Sequence, residues 1–188
     1  MNRFERVDLK KKCLELQKNS IGPQMDAYEY YLLALEMKGN RVLVFGTGRD
    51  STLYRKVATQ VTFLENLTAW IQEGEEDIVK VDYTTLLPQS SSLLEEFHNG
   101  VYENLKMDLP DFVRKDVYDV ILVDSPEGYR DDKPGRMQSI FTAWELATEN
   151  TMVFVHDCNR TVENEWFINL FNPVVKCNKL WGGYKKTF

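Results

Sequence analysis

Short apolar runs alternate with helical patterns along most of the chain. The helical patterns repeat apolar side chains every three or four residues, whereas the runs between them have the length of buried strands. Strands are predicted at 41–45, 61–65, 78–81, 118–123 and 151–155, with two more in 173–188 joined at Gly182-Gly183. This alternation predicts an α/β fold: a Rossmann-like, mostly parallel sheet with helices on both faces and a C-terminal antiparallel hairpin.

Two helices are predicted before the first strand, at 4–18 and 24–38, with a break at 20–23. The tyrosine cluster 28–31 is expected to pack in the core, or alternatively to place one ring at the mouth of a ligand site. Later helices are predicted at 51–59, around Trp70, at 90–106 with a break at 99–100, at 136–149 and at 162–170. A length of 188 residues suits one domain, with N-terminal helices in 1–39 and the α/β core in 40–188.

The first predicted strand leads directly into a glycine turn and a helix. Gly46 and Gly48 allow backbone angles and a close ligand approach that a Cβ would block. Asp50 or Ser51 can cap the helix, whose first N–H groups then face a ligand. The second strand ends at Glu65, which could bind the hydroxyls of a ribose. These features predict a nucleotide-type cofactor site, although an ordinary strand-to-helix turn would show the same glycines.

Polar side chains also follow the fourth and fifth predicted strands. Asp124 ends one strand and His156-Asp157 ends the other, and neighbouring parallel strands lie about 5 Å apart. The three groups could perform acid/base catalysis, or Asp124 and Asp157 could hold a divalent cation. Alternatively, Asp124 caps a turn and His156 is structural. The predicted cofactor-binding residues are Phe45, Gly46, Thr47, Gly48, Asp50, Ser51, Glu65, Tyr83 and Asp124.

The loop after Asp124 carries charged and aromatic side chains that suit an acceptor substrate. Arg136 begins a predicted helix, where a cation is disfavoured by the helix dipole, so it is expected to serve a ligand or a loop carboxylate. An ion pair with Asp131 or Asp132 is the alternative. Tyr129, Arg136 and Arg160 are the predicted substrate-binding residues.

Charge and cysteine content narrow the class of protein. The net charge is -6 with no basic run, which argues against a nucleic-acid partner. The three cysteines are odd in number and lack metal-ligand spacing, so we expect reduced thiols. No signal peptide or membrane-spanning run is visible, and a cytoplasmic location is therefore expected.

Several of these segments together resemble the plant glucuronoxylan and arabinogalactan 4-O-methyltransferases, which methylate glucuronic acid on cell-wall polysaccharides. The matching segments are 44–51, 63–65, 81–83, 119–129, 134–137 and 155–160. The resemblance implies a class I methyltransferase fold, S-adenosylmethionine as cofactor and a sugar hydroxyl as acceptor. The family usually has His at position 49, a second acid at 66 and Asp at 84, where this chain has Arg49, Asn66 and Thr84.

The sequence and this resemblance together predict an S-adenosylmethionine-dependent O-methyltransferase acting on a sugar of a polysaccharide or glycan. Asp124, His156 and Asp157 are the predicted catalytic residues, with a divalent cation on Asp124 and Asp157 as one version. An NAD-dependent oxidoreductase is an alternative, although no residues remain for a separate substrate domain. A non-catalytic cofactor-binding protein is another, favoured if Asp124 and His156 are buried and mutually satisfied with no cavity beside them. The oligomeric state is not predicted.

Overall fold

The computed structural model describes residues 3–19, 25–71 and 74–188. The helices in this part of the chain are α1 (Arg3–Asn19), α2 (Ala27–Met37), α3 (Ser51–Val57), α4 (Ser90–His98), α5 (Asp111–Arg114), α6 (Met137–Leu146) and α7 (Thr161–Leu170). The strands are β1 (Arg41–Phe45), β2 (Gln60–Glu65), β3 (Ile78–Lys80), β4 (Val120–Val123), β5 (Met152–Val155), β6 (Phe171–Cys177) and β7 (Leu180–Lys185). Short 3-10 turns occur at Thr68–Trp70, Leu87–Gln89 and Glu103–Leu105.

The strands form one seven-stranded sheet in the order β3-β2-β1-β4-β5-β7-β6. Strands β1 to β5 are parallel, while β7 is antiparallel to both β5 and β6. This order confirms the predicted class I methyltransferase fold with a C-terminal antiparallel hairpin. From β1 the chain adds β2 and β3 on one side of the sheet and then β4 and β5 on the other, so the strand order switches between β1 and β4. Ligands of open α/β sheets bind at such a switch point.

Helices cover both faces of the sheet. Along β1, Leu43 and Phe45 belong to one apolar core, which also contains side chains of α4, α6 and α7. Val42 and Val44 point the other way, into a second core with side chains of α1, α2 and α3. Because alternate residues of a strand face opposite sides, a continuously apolar strand such as β1 requires this cover on both faces.

The predicted position of the C-terminal turn is wrong. The hairpin turns between Cys177 and Leu180, and Gly182 and Gly183 lie inside β7. A Cβ on Gly182 would lie 2.5 Å from the ring of Phe154, and one on Gly183 would lie 2.4 Å from a backbone oxygen. The two glycines therefore allow close packing rather than a turn.

Both predicted N-terminal helices are present, but α2 begins at Ala27, so residues 25 and 26 are not helical as predicted. Asp26 caps α2, with its carboxylate accepting the N–H groups of Tyr28 and Glu29. The predicted break at 20–23 and the predicted helix start at Gln24 lie outside the described residues. Across 3–19, 25–71 and 74–188, no helix has the length and apolar character needed to span a membrane.

Candidate active site

A cleft of about 500 Å³ opens where β1, β2, β4 and β5 end. Its walls are formed by the segments that directly follow these four strands. The structure brings together most of the predicted site residues here. Those that line the cleft are Gly46, Thr47, Gly48, Asp50, Glu65, Asp124, Tyr129, Arg136, His156, Asp157 and Arg160.

Three predicted cofactor-binding residues do not line this cleft. Phe45 is fully buried in the core beneath it. The hydroxyl of Ser51 accepts the N–H of Gly48 at 3.0 Å, which steadies the glycine turn from inside. The hydroxyl of Tyr83 accepts that of Ser139 at 3.1 Å. All three lie where they can support the walls of the cleft.

The glycine turn is fixed by contacts that only glycine permits at position 46. Gly46 has a φ of 107°, and a Cβ there would lie 2.7 Å from the Cβ of Ser125. Its N–H donates to the carbonyl of Leu64 at 2.8 Å. The turn is therefore held between β2 and the segment after β4, as the predicted close backbone approach requires.

The predicted side-chain cap of α3 by Asp50 or Ser51 is not formed: Asp50 occupies the N-cap position without a capping bond from its side chain, and Ser51 is the first residue of the helix. The carboxylate of Asp50 instead accepts the hydroxyl of Tyr54 at 2.9 Å. Burial, together with the negative charge of Asp124, raises the pKa of Asp50 to about 6. Two carboxylates on the cleft wall thus repel each other, and a positively charged ligand would relieve this repulsion.

Glu65 connects β2 to the glycine turn. Its carboxylate accepts the N–H of Thr47 at 2.9 Å, the hydroxyl of the same residue at 3.1 Å and the N–H of Leu67 at 2.7 Å. The residue is buried but still lines the cleft. Carboxylate oxygens have further lone pairs, so these contacts leave acceptor capacity for a ligand hydroxyl.

Arg136 ties the ends of β4 and β5 together. Its guanidinium donates to the carbonyls of Asp124 and His156, each at 2.7 Å, and to that of Pro126 at 3.2 Å. It also lies 3.3 Å from the carboxylate of Asp124 and 3.1 Å from that of Asp157. The alternative ion pair with Asp131 or Asp132 is wrong, because the buried guanidinium of Arg136 pairs with Asp124 and Asp157 instead.

Asp124 and His156 are in direct contact, as expected for side chains that follow neighbouring parallel strands. Val123 of β4 is in register with Val155 of β5, and the next residues place Nδ1 of His156 2.9 Å from Oδ1 of Asp124. Burial alone would lower the pKa of His156, but the hydrogen bond to Asp124 and the negative charges of Asp124, Asp157 and the nearby Glu29 carboxylate raise it to about 9. Despite burial, hydrogen bonding to His156 and the nearby positive charges hold the pKa of Asp124 below its usual value.

Asp157 has a left-handed backbone with a φ of 62°, a conformation that Asp tolerates better than most residues. Its carboxylate lies 2.7 Å from the guanidinium of Arg160, which also contacts Glu163 at 3.3 Å. One ligand atom from each of Asp124, His156 and Asp157 falls within 4.8 Å of the others. This group has the donor types for a hard cation.

A comparison with protein families shows the family to which the chain belongs. The family model described as IRX15/IRX15L/GXM matches residues 32–176. The chain belongs to this family. Glucuronoxylan 4-O-methyltransferase 2 of Arabidopsis thaliana is 34% identical over 168 residues, covering 77% of this chain and 54% of that protein. Arabinogalactan O-methyltransferase 2 of the same plant is 35% identical over 169 residues, covering 74% and 58%.

This chain spans about half the length of the curated relatives it matches. The crystal structure of Thermoplasma acidophilum 1320 aligns with a TM-score of 0.51 and 14% identity, over 97% of this chain and 98% of that one. At this identity the match concerns the fold alone. The resemblance predicted from residues 44–160 is confirmed by these relatives.

The three departures from the family pattern lie in different surroundings. Arg49 and Asn66 line the cleft beside the glycine turn and Glu65. Thr84 lies elsewhere, with its N–H donating to the side chain of Gln138 at 2.8 Å and its hydroxyl accepting from it at 3.0 Å. Arg49 and Asn66 can therefore affect a ligand in the cleft, whereas Thr84 is bonded to the buried side chain of Gln138 and does not line the cleft.

Sequence reasoning missed several residues of the site. Met25, Tyr54 and Trp70 line the cleft, and Glu29 contacts His156 from α2. The spacing Asp26-x-x-Glu29 is a capping-box pattern that could have drawn attention to Glu29. The tyrosines of the cluster 28–31 do not line the cleft, so the alternative that placed one at its mouth is wrong.

Proposed function

We propose that this chain is an S-adenosylmethionine-dependent O-methyltransferase that acts on a sugar hydroxyl of a polysaccharide or glycan, within a single methyltransferase domain. One observation carries the proposal. The glycine turn with Glu65 and the pair Asp124–His156 line the same cleft, so a cofactor site and an acid/base pair adjoin. The curated relatives named above as glucuronoxylan and arabinogalactan methyltransferases support the reaction and the acceptor class.

The residues of the cleft fit the cofactor. Its volume of about 500 Å³ lies in the usual range of small-molecule sites. The turn from Gly46 would hold the methionine part, and Glu65 the ribose. Asp50 and Asp124 place two carboxylates on the same wall, which suits a ligand with positive charge. When bound, S-adenosylmethionine would supply a methyl group activated by its sulfonium.

Asp124 and His156 would remove the proton of the acceptor hydroxyl. The contacts of the Asp124 carboxylate with His156 and Arg136 both use Oδ1, so Oδ2 is the oxygen offered to an acceptor. A carboxylate with a depressed pKa is a weak base alone, whereas a neutral imidazole whose conjugate acid has a pKa near 9 is a stronger one. The proton would therefore pass to His156, directly or through Asp124. Orientation of the hydroxyl in the cleft would supply much of the remaining acceleration.

Tyr129 and Arg160 would contact the acceptor. The side chain of Tyr129 is exposed at the cleft, where its ring can cover the C–H face of a sugar. The side chain of Arg160 is 31% exposed and could pair with the carboxylate of a uronic acid. Arg136 is only 6% exposed and donates to three backbone carbonyls, so its main effect would be on the shape of the site.

The arrangement favours a site without metal. Asp124 and Asp157 have suitable oxygens, but the guanidinium of Arg136 contacts both carboxylates and that of Arg160 contacts Asp157. A divalent cation would have to compete with two positive charges for the same oxygens. The metal on Asp124 and Asp157 thus stays a prediction from sequence, and the proposed proton transfer does not depend on it.

The two alternatives are less well supported. The condition that would favour a non-catalytic protein is not met, because Asp124 and His156 line a cleft rather than a closed core. An NAD-dependent oxidoreductase would share the glycine turn and Glu65. However, the two plant relatives described above, which match about three quarters of the chain, are named as methyltransferases.

The test is transfer of labelled methyl from S-adenosylmethionine to a panel of uronic-acid oligosaccharides, neutral oligosaccharides, RNA, peptides and phenols. We expect label on carbohydrate only, and its loss in Asp124→Asn when that variant still binds S-adenosylhomocysteine. Label confined to a non-carbohydrate acceptor would overturn the acceptor class. Absence of any transfer, with NADH binding in place of S-adenosylhomocysteine, would overturn the reaction.

A further inference from the structure

Glu29 on α2 is a buried carboxylate directly behind the catalytic pair. Its side chain is 2% exposed, and its oxygen Oε2 lies 3.7 Å from Nε2 of His156. It belongs neither to the predicted catalytic residues nor to the segment 32–176 that the family model matches.

Both oxygens of Glu29 are fixed by the backbone. Oε2 accepts the N–H of Asp26 at 2.7 Å, which closes the capping box of α2. Oε1 accepts the N–H groups of Lys179 and Leu180, at 2.8 and 3.1 Å, in the turn of the C-terminal hairpin. Three backbone donors from two distant segments hold the carboxylate in place, so its position relative to His156 is determined by the fold.

The imidazole of His156 faces a carboxylate at each ring nitrogen. Nδ1 is bonded to Asp124 at 2.9 Å and also lies 3.7 Å from Asp157, both of which line the cleft. Within the described part of the chain, Nε2 is buried without a hydrogen-bond partner, and the carboxylate opposite it is that of Glu29. A buried N–H at this position has a strong preference for an acceptor.

We propose that Glu29 is a positioning residue for His156: it holds the proton of Nε2, so that Nδ1 is the nitrogen that exchanges a proton with Asp124 and the acceptor. This inference rests on the proposed function and adds a residue to it. The partner of one imidazole nitrogen determines the role of the other. A carboxylate at the Nε2 side thus directs the basic lone pair toward the cleft. Helix α2 thereby orients His156 in addition to covering one face of the sheet.

Two variants distinguish this role from a purely structural one, in which Glu29 only helps to pack α2 against the C-terminal hairpin. Glu29→Gln removes the charge opposite Nε2 while keeping the size of the side chain. Asn178→Gly is the matched control: Asn178 contacts the carboxylate of Asp26 in the same interface, and its φ of 50° is one that glycine adopts readily. The control weakens the contact between α2 and the hairpin but leaves Glu29 and His156 in place.

Nitrogen-15 NMR of the imidazoles tests the proposal without substrate or cofactor. The chain has only two histidines, and the exposed His98 serves as an internal reference. We expect Glu29→Gln to shift the Nε2 resonance of His156, with His98 unchanged and with Asn178→Gly close to wild type. An unchanged Nε2 resonance in folded Glu29→Gln, or the same shift in Asn178→Gly, would overturn the proposal whether or not the protein transfers methyl groups.

Kinetics provide the second measurement. Measured above about pH 9.5, where His156 is neutral in both proteins, Glu29→Gln should lower kcat about tenfold or more, while the KM for S-adenosylmethionine stays near its wild-type value, because imidazole orientation acts on the chemical step. Glu29→Asp, which keeps the charge, should recover part of the loss. A kcat within twofold of wild type in Glu29→Gln would contradict the positioning role. A loss of the same size in Asn178→Gly would assign the effect to docking and contradict it as well.

Discussion

Nδ1 of His156 lies 2.9 Å from Oδ1 of Asp124, at the ends of the neighbouring parallel strands β5 and β4. The pair is one sheet spacing apart because the residues before it, Val123 and Val155, are in register. The carboxylate side of the pair is partly exposed to the cleft, whereas the imidazole is buried. The contact therefore joins the carboxylate of Asp124, which can reach a ligand in the cleft, to the imidazole of His156, which can accept a proton.

This contact predicts a rate that rises with pH. The pKa of His156 is raised to about 9, so at neutral pH the imidazole is protonated and cannot accept the proton of the acceptor. The value of kcat/KM should increase roughly tenfold per pH unit up to about pH 9 and then level off. His156→Gln should abolish this rise of kcat/KM with pH. A profile that is flat from pH 6.5 to 8.5, or one that falls as pH passes 9, would assign the base elsewhere.

Part of this site could be predicted from sequence, since a parallel sheet places its strand ends at one edge. Asp124 and His156 each follow an apolar strand directly and Glu65 is the last residue of one, and local pattern alone locates such residues. Glu29 could not be placed in the same way. Its partner Lys179 is 150 positions away along the chain, and only the packing of α2 against the hairpin brings them together.

The glycines show a similar limit. A glycine pair between two apolar runs is a strong turn signal, and it led to the wrong turn at Gly182-Gly183. The actual reason for these glycines is the ring of Phe154 and the backbone of Asn172, which lie against them in the folded sheet. The turn at Gly46 and Gly48 is predicted correctly from sequence, because the strand before it and the helix after it fix its position.

Replacement of Gly46 should impair ligand binding more than replacement of another left-handed glycine. Gly46→Ala adds a Cβ 2.7 Å from that of Ser125, whereas Gly39 has a φ of 79° and a Cβ added there would meet nothing within 4 Å. Both variants carry backbone strain of about 1–2 kcal/mol. Only Gly46→Ala should also lose affinity for S-adenosylhomocysteine in calorimetry. Partial recovery is expected in Gly46→Ala/Ser125→Gly, and equal affinity in the two single variants would contradict the role of the turn.

Removal of the Glu65 carboxylate should weaken cofactor binding. Glu65→Ala loses the proposed contact with the ribose and also the bonds to Thr47 and Leu67 that hold the glycine turn. The loss of binding free energy should be about 1–3 kcal/mol. Calorimetric titration with S-adenosylhomocysteine measures it, and thermal unfolding checks that the variant is folded. A folded Glu65→Ala protein with wild-type affinity would show that the ribose is bound elsewhere.

Chelation should leave the activity largely unchanged. The oxygens of Asp124 and Asp157 are already in contact with the guanidinium groups of Arg136 and Arg160, which supply the positive charge that a metal would otherwise bring. Methyl transfer after exhaustive treatment with a chelator, compared with an untreated sample, provides the measurement. If activity is lost and returns on addition of one divalent cation, the mechanism with a metal on Asp124 and Asp157, as predicted from the sequence, would be supported instead.

Arg136 and Arg160 should respond differently to replacement by lysine. Arg136 is buried and donates to the carbonyls of Asp124, Pro126 and His156. A single ammonium group cannot form these three hydrogen bonds from the same position. Arg136→Lys should therefore lower the free energy of unfolding by about 1–3 kcal/mol, because some of the buried carbonyls lose their donor.

Arg160 is partly exposed, so Arg160→Lys should leave stability within about 1 kcal/mol of wild type. It should instead raise the KM for a uronic-acid acceptor about tenfold, since lysine cannot pair with a carboxylate through two parallel bonds. The KM for a neutral acceptor and the affinity for S-adenosylhomocysteine should stay the same. Denaturant unfolding and acceptor kinetics on both variants separate the two roles. If Arg160→Lys affected neutral and uronic acceptors equally, the guanidinium would be acting through Asp157 and not through a substrate carboxylate.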